Sequence, residues 1–235
     1  MLEQQLINAL SLGSVYALFA LGFTLVFGVL GVINLSHGAI FMLGSYAALL
    51  LVEHLALPLW LAMLAAMLAS GLIGLLVDYL VLKPLRARNA PHLAPMIATI
   101  GVATILTSLA QGLFGAENKR FPVGTIPEDS YNWGHLHVTA VQIGIVVISF
   151  ILMLVLLAVM RRTQLGRALR AIAESPKAAY LLGINVEGLF YLTSFAAAAL
   201  GGAAGVLVGL SFNAITPFMG QPMLHKGIAV IILGG

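Results

Sequence analysis

Few side chains in this sequence are equipped for chemistry. The segment Asn34-Leu35-Ser36-His37-Gly38 sets an amide, a hydroxyl and an imidazole side by side within an apolar run. A serine nucleophile needs a base within hydrogen-bond reach. Ser36 and His37 are neighbours in sequence and point apart if helical, so they pair poorly, and Ser45 is the other hydroxyl available to His37. His37 reads either as a hydrogen-bonded structural residue or as a contact for a small polar solute. His135 and His137 stand two apart in a loop without nearby carboxylate or cysteine ligands, and no metal site is expected there. Asp78 interrupts an apolar stretch five residues before Lys83. It reads as pairing with Arg86 or snorkelling to the interface, or else as a substrate or proton site. With no cysteine in the chain, disulfides, thiolate metal sites and cysteine nucleophiles are excluded.

The elements that position these residues follow from composition. Of 235 residues, 61% are hydrophobic and 8% charged, and the mean hydropathy is +1.06. Soluble domains carry roughly 25% charged residues. So apolar a chain cannot cover a water-facing globule, which excludes a soluble enzyme, a disordered tail and a nucleic-acid-binding domain. The expectation is an all-α, polytopic transmembrane helical bundle forming one domain over residues 1–235. At about 20 apolar residues per crossing, the spans are Leu6–Leu30, Ala39–Val52, Leu57–Leu82, Ala94–Phe114, Val138–Met160 and Leu189–Leu210. A partial seventh begins near Gly227. Met1 to Gln5 lacks the basic residue of a cleaved signal peptide, and the apolar run after it is too long for one.

Lys83, Arg86 and Arg88 follow the third span, and Arg161, Arg162, Arg167, Arg170 and Lys177 the fifth. Two spans separate the clusters, so both lie on one side. By the positive-inside bias that side is cytoplasmic and the N-terminus is outside. The pI near 9.4 is therefore an orientation signal rather than a mark of nucleic-acid binding. The longest external loop covers residues 115–137, with Tyr131 and Trp133 expected at the interface. Asn213, Thr216, Pro217, Met219 and Gln221, between the sixth and seventh spans, are candidates for the external mouth.

Ala197, Gly201, Gly205 and Gly209 recur every four residues along the sixth span, a small-residue stripe that lets helices pack closely in lipid. Gly13, Gly22, Gly28 and Gly31 are expected to do the same less regularly in the first. Between Gly28 and Gly38, glycines and polar side chains break the apolar pattern. Two readings fit: a broken helix lining a solute site, or a tight cytoplasmic turn capped by Asn34 or Ser36.

The cytoplasmic segment 161–188 carries the fullest local pattern. Thr163 is an N-cap for a helix through Glu174, with Leu165, Ala168, Leu169 and Ile172 as its apolar face. Arg170 and Glu174 are spaced to pair at i,i+4. Ser175-Pro176 restarts a second short helix that Gly183 terminates. The pair suits docking on a partner at the membrane face, and equally an amphipathic loop resting on anionic headgroups.

Several motifs in order resemble the permease subunits of bacterial branched-chain amino-acid ABC importers, most closely the H-type subunit. They are Leu10-Ser11-Leu12-Gly13-Ser14-Val15-Tyr16-Ala17-Leu18, Gly31-Val32-Ile33-Asn34-Leu35-Ser36-His37-Gly38, Phe41-Met42-Leu43-Gly44-Ser45-Tyr46 and Lys83-Pro84-Leu85-Arg86. Gly166-Arg167-Ala168-Leu169-Arg170-Ala171, Glu174 and Leu181-Leu182-Gly183-Ile184-Asn185 complete the set. The resemblance implies a permease subunit in the bacterial inner membrane that performs no chemistry of its own. Gly166, Arg167, Arg170, Ala171, Glu174, Leu182 and Gly183 would couple it to an ATPase, and Asn34, Ser36, His37 and Gly38 would border the substrate path. Two cytoplasmic ATPase subunits, a second permease subunit and a soluble extracytoplasmic binding protein are the implied partners. No glycine-rich phosphate loop with lysine is present, so ATP and Mg belong on the ATPase chains and no cofactor is expected on this one. Many members of that family carry glutamate where Ala39 and Asp78 stand, and continue beyond Leu233-Gly234-Gly235, so the chain is expected to lack a C-terminal part. The substrate class that the resemblance implies is branched-chain or other small hydrophobic amino acids, with urea or amides as the alternative. An intramembrane enzyme built on Ser36 or Ser45 with His37, and a passive channel without an ATPase-docking loop, are the competing classes.

Overall fold

A computed structural model describes residues 2–91, 93–122, 124–125, 129–133 and 136–234. His135, and with it the two-histidine pattern, lies outside the described residues, as do Pro127, Glu128, Gly134 and Gly235.

Among the described residues, six helices are long and apolar enough to cross a membrane. They are α1 (Leu2–Leu30), α2 (His37–Leu55), α3 (Leu59–Val77) continued by a π-helical turn (Asp78–Leu82) and α4 (Lys83–Ala87), α5 (Leu93–Phe114), α6 (Ala140–Arg162) and α9 (Val186–Phe212). Between α6 and α9 lie α7 (Gln164–Glu174) and α8 (Pro176–Leu181), and the described chain ends in α10 (Gly220–Gly234). The protein is a multi-pass helical membrane bundle. A short antiparallel hairpin, β1 (Ser130–Trp133) with β2 (Leu136–Thr139), adds to the all-α expectation in the 115–137 loop. Its last residue, Thr139, opens α6 through a reciprocal cap: Gln142 N–H donates to Thr139 Oγ1 at 3.2 Å and Thr139 N–H to Gln142 Oε1 at 3.1 Å.

Helix α9 is the axis of the bundle, packed against α1, α2 and α3. Lipid tails supply no hydrophobic drive between helices, so close backbone approach and dispersion must hold them. The expected stripe does this towards α1 and α2. A Cβ on Gly201 would stand 2.8 Å from His37 Cε1, and one on Gly205 would strike the Phe41 carbonyl. A second stripe, Ser194, Ala198 and Gly202, meets α3, where a Cβ on Gly74 would stand 2.9 Å from the Ser194 carbonyl. In α1 only Gly22 lies in such a contact. Gly13 and Gly28 face open space, and Gly31 serves instead to end the helix with φ +66°.

Both basic clusters lie at one end of the bundle. Arg86 sits 4.7 Å from the Phe190 ring, at the start of α9, and the last turns of α1 share a core with Leu169, Ile172 and Ala179 of α7 and α8. The opposite end gathers the N-terminal turn of α1, Lys119, the β1–β2 strands and the 213–216 link. Gln4 bonds to the backbone of His137, and Lys119 bridges Ile215.

The last helix departs from expectation: it begins at Gly220, ahead of Gly227. Its first turns carry Gln221, Pro222, His225 and Lys226, too polar for a hydropathy reading to mark as part of a span. Proline is tolerated there because its missing N–H has no helical partner in the first turn.

Candidate functional site

The polar part of the break between α1 and α2 lies inside the bundle, while Gly31 and Ile33 are exposed. Gly31 N–H returns to the Phe27 carbonyl at 2.9 Å and the chain turns back. His37, the first residue of α2, packs beside Gly22, eight residues short of the end of α1, or about 12 Å along its axis. Asn34, Ser36 and His37 are all buried. Asn34 Oδ1 accepts from Ser36 N–H at 3.1 Å and from Ser36 Oγ at 2.6 Å. Leu35 N–H donates across to Thr99 Oγ1 of α5 at 3.1 Å. Protein groups thus take the N–H groups of Gly31, Leu35, Ser36 and His37 within the break. The Asn34 cap on Ser36 N–H is the one expected of a tight turn, and the burial of Asn34, Ser36 and His37 is what a broken helix packed within the bundle requires.

The four residues of this segment have separate tasks. Asn34 and Ser36 hold the turn itself, and the Ser36 hydroxyl bonds to Asn34 rather than to the imidazole. His37 lies between Phe19 and Phe23, with ring centroids 4.8 and 5.8 Å away, and turns towards Gly22 and Gly201. Gly38 alone of the four lines the large cavity beside the break. There it meets Gly220 so closely that a Cβ would stand 2.6 Å from the Gly220 carbonyl.

That cavity, about 540 Å³, lies between the start of α2, α5 and α10. Gly38 and Ala39 contribute the first turn of α2, and among the described residues their N–H groups have no acceptor. Helix α5 contributes Thr104, Thr107, Ser108 and Gln111, and α10 contributes Gln221 and His225. Leu35, Ile100, Phe218 and Leu224 supply apolar wall. The α5 residues escaped the sequence reading, although their i, i+3, i+4, i+7 spacing is a polar stripe on an otherwise apolar span. Of the residues expected at the external mouth, Pro217 and Gln221 line this cavity. Asn213 instead ends α9 in the left-handed region and accepts from Phe121 N–H at 3.2 Å. Thr216 and Met219 border a separate cavity of about 340 Å³ with Tyr16 and Lys226. The main cavity offers N–H donors at a helix start, hydroxyl and amide groups and an apolar surface, with no carboxylate, lysine or arginine among the described residues that line it. It suits a small zwitterion with an apolar side chain, held loosely.

At the basic end, α7 and α8 form the expected pair. Thr163 Oγ1 accepts from Gly166 N–H at 3.1 Å and Ser175 Oγ from Ala178 N–H at 3.3 Å. Gly183, at φ +81°, donates to the Tyr180 carbonyl at 3.0 Å while Ile184 donates to Ala179 at 3.1 Å, a two-bond helix stop only glycine makes without strain. The buried face differs from the expected one: Gly166, Leu169 and Ile172 are buried, whereas Leu165 is exposed. Gly166 explains the rotation. A Cβ there would stand 2.5 Å from the Val159 carbonyl, so α7 presses directly onto the end of α6. The Arg170–Glu174 pair does not form; Arg170 donates to the Met160 carbonyl instead. Ala171 packs against the core under the pair, while Arg167 and Glu174 face outward. Leu182 is 79% exposed beside Tyr180 at 72% and Leu181 at 84%, an apolar projection of which only Leu182 is among the coupling residues the resemblance implies.

Asp78 is fully buried and pairs bidentately with Arg86, at 2.7 and 3.1 Å. In an unbroken α-helix eight residues would leave Arg86 about 80° round from Asp78. The π-helical turn absorbs one residue and brings the two within about 20°. The pair joins the end of α3 to α9 through Glu187, 3.7 Å from Arg86, and Phe190.

Residues 5–235 match the family model described as branched-chain amino acid transport system / permease component. The permease BraD of Pseudomonas aeruginosa is 36% identical over 99% of this chain and 78% of its own. LivH of Escherichia coli K12 is 32% identical over the same shares. LivH of Methanocaldococcus jannaschii is 29% identical over 97% of this chain and 72% of its own. No solved structure matches. These relatives are transporter permeases rather than enzymes, in keeping with a Ser36 hydroxyl turned away from His37. The chain belongs to the permease-component family of branched-chain amino acid transport systems.

Proposed function

We propose that this protein is the membrane permease subunit of an ABC importer that passes branched-chain or other small hydrophobic amino acids through the cavity between α2, α5 and α10. The observation that carries this reading is the uncharged make-up of that cavity. The free N–H groups of Gly38 and Ala39 suit a carboxylate at a helix start. Gln111 and the hydroxyls of Thr107 and Ser108 suit an ammonium, and Leu35 and Leu224 an aliphatic side chain. Without a fixed counter-charge, binding is weak and release easy, as a path requires.

The polar stripe of α5, with Thr104 and Ser108 exposed, calls for a second permease subunit to close the path. The α7–α8 pair, with Gly166, Arg167, Arg170, Ala171, Glu174, Leu182 and Gly183, takes the ATPase, where ATP and Mg act. The basic end is then cytoplasmic, and the N-terminus lies outside with the face that receives a soluble binding protein. In a bacterium the membrane is the inner one. Uptake by the reconstituted transporter tests the reading. ATP-driven entry of labelled leucine is expected to be competed by valine and isoleucine and untouched by urea. Competition by urea, with none from valine, would overturn the substrate class, and ATP-independent uptake would indicate a channel.

A further inference from the structure

A second groove opens on the outer surface near the basic end. It measures about 270 Å³ and runs between α1, α6 and α7. Leu21, Leu25 and Val29 of α1 and Leu156 of α6 make its walls. The one hydroxyl there, Thr24, is already bonded to the Ala20 carbonyl at 2.7 Å. The floor is cut away at Gly28, where an added Cβ would meet nothing within 4 Å. From Leu21 to Val29 the groove follows α1 for about 12 Å, most of the depth of one leaflet's hydrocarbon.

Its mouth is charged. Arg170 lines the groove where α7 meets the end of α6. One of its nitrogens donates to the Met160 carbonyl, and the others have no acceptor among the described residues. Arg161 and Arg162 continue α6 at this level and Arg167 lies one turn earlier on α7, all exposed. Glu174 is the one acidic residue of α7. An apolar slot of acyl-chain depth beneath a cluster of arginines is complementary to a single kind of membrane component.

We infer that the groove between α1, α6 and α7 is a binding site for an anionic phospholipid, with one acyl chain along Leu21, Leu25 and Gly28 and the phosphate at Arg170 beside Arg161 and Arg162. The lipid fills the notch at Gly28 and neutralises the arginines that bracket α7. It thereby fastens the first helix of the coupling pair to the first span of the bundle. The site needs only a membrane around the bundle and does not depend on which solute is carried.

The test is native mass spectrometry of the complete transporter, released from nanodiscs holding equal phosphatidylglycerol and phosphatidylcholine. The wild-type complex is expected to keep phosphatidylglycerol through delipidation that strips phosphatidylcholine. Gly28→Leu fills the open notch and should lose retained phosphatidylglycerol while assembling in normal yield. Arg170→Gln should lower the preference for phosphatidylglycerol about fivefold, the worth of one arginine at an anionic surface. A photo-crosslinker at Leu21 should label lipid. Equal retention of the two lipids by wild type, retention unchanged in Gly28→Leu, or crosslinking of Leu21 to another protein chain would each overturn the site.

Discussion

The buried pair Asp78–Arg86 shows how single residues are held in this apolar setting. A carboxylate with no solvent exposure survives because the guanidinium meets both of its oxygens. Removing one partner leaves a buried charge unsatisfied, at about 3–5 kcal/mol, whereas removing both is far milder. Arg86→Gln is therefore expected to cut the folded yield more than Asp78→Asn, which also loses the charge. The double variant should recover much of the Arg86→Gln loss. Thermal unfolding in detergent reads this directly, and strictly additive effects would show that the two side chains act independently. The glycines divide in the same way. Gly205→Ala sets a methyl against the Phe41 carbonyl and should destabilise by about 1–3 kcal/mol. Gly13→Ala enters open space within a helix and should be neutral or stabilise by up to about 1 kcal/mol. Equal melting temperatures for the two variants would refute the close α2–α9 contact. The regular spacing of glycines in α9 was legible in sequence. Which α1 glycines touch anything was not, because contact depends on the partner helix.

At the scale of elements, α7 and α8 divide into a face that fixes the pair and a face that projects from it. Their boundaries were readable because caps are local chemistry: Thr163, Ser175 and Gly183 each act within four residues of themselves. The orientation of α7 was not, because Gly166 lets the helix lie against the Val159 and Met160 carbonyls. That contact buries Gly166 rather than Leu165 and draws Arg170 from Glu174 to a backbone acceptor. The division has different consequences for the two faces. Ile172→Ala removes a fully buried side chain and should cost about 2–5 kcal/mol of stability. Leu181→Ser with Leu182→Ser alters only exposed groups, so the melting temperature should hold while ATPase co-purification and ATP-driven uptake fall. Normal ATPase capture by that double variant would remove the docking role from α8.

For the whole molecule, the consequential arrangement is the meeting of α2, α5 and α10 around one cavity, three elements far apart in the chain. Six apolar helices follow from hydropathy alone. The juxtaposition does not, since Gly38 reaches Gly220 only after the break at Gly31 has returned the chain into the bundle. For the same reason Asn34, Ser36 and His37 build the break while Thr107 and Gln111 face the space it opens. If that space is the solute path, its polar groups act on binding and not on the ATPase. Gln111→Leu keeps side-chain size but removes the amide's donor and acceptor groups from a half-buried position. Loss of a hydrogen bond to a charged ammonium is worth about 1.5–3 kcal/mol, so KM for leucine uptake should rise at least tenfold. ATPase association and melting temperature should stay unchanged. Leu113→Gln, on the same helix but 77% exposed and away from the cavity, controls for polarity and should leave KM as it was. A Gln111→Leu transporter with unaltered KM would place the solute path elsewhere in the bundle.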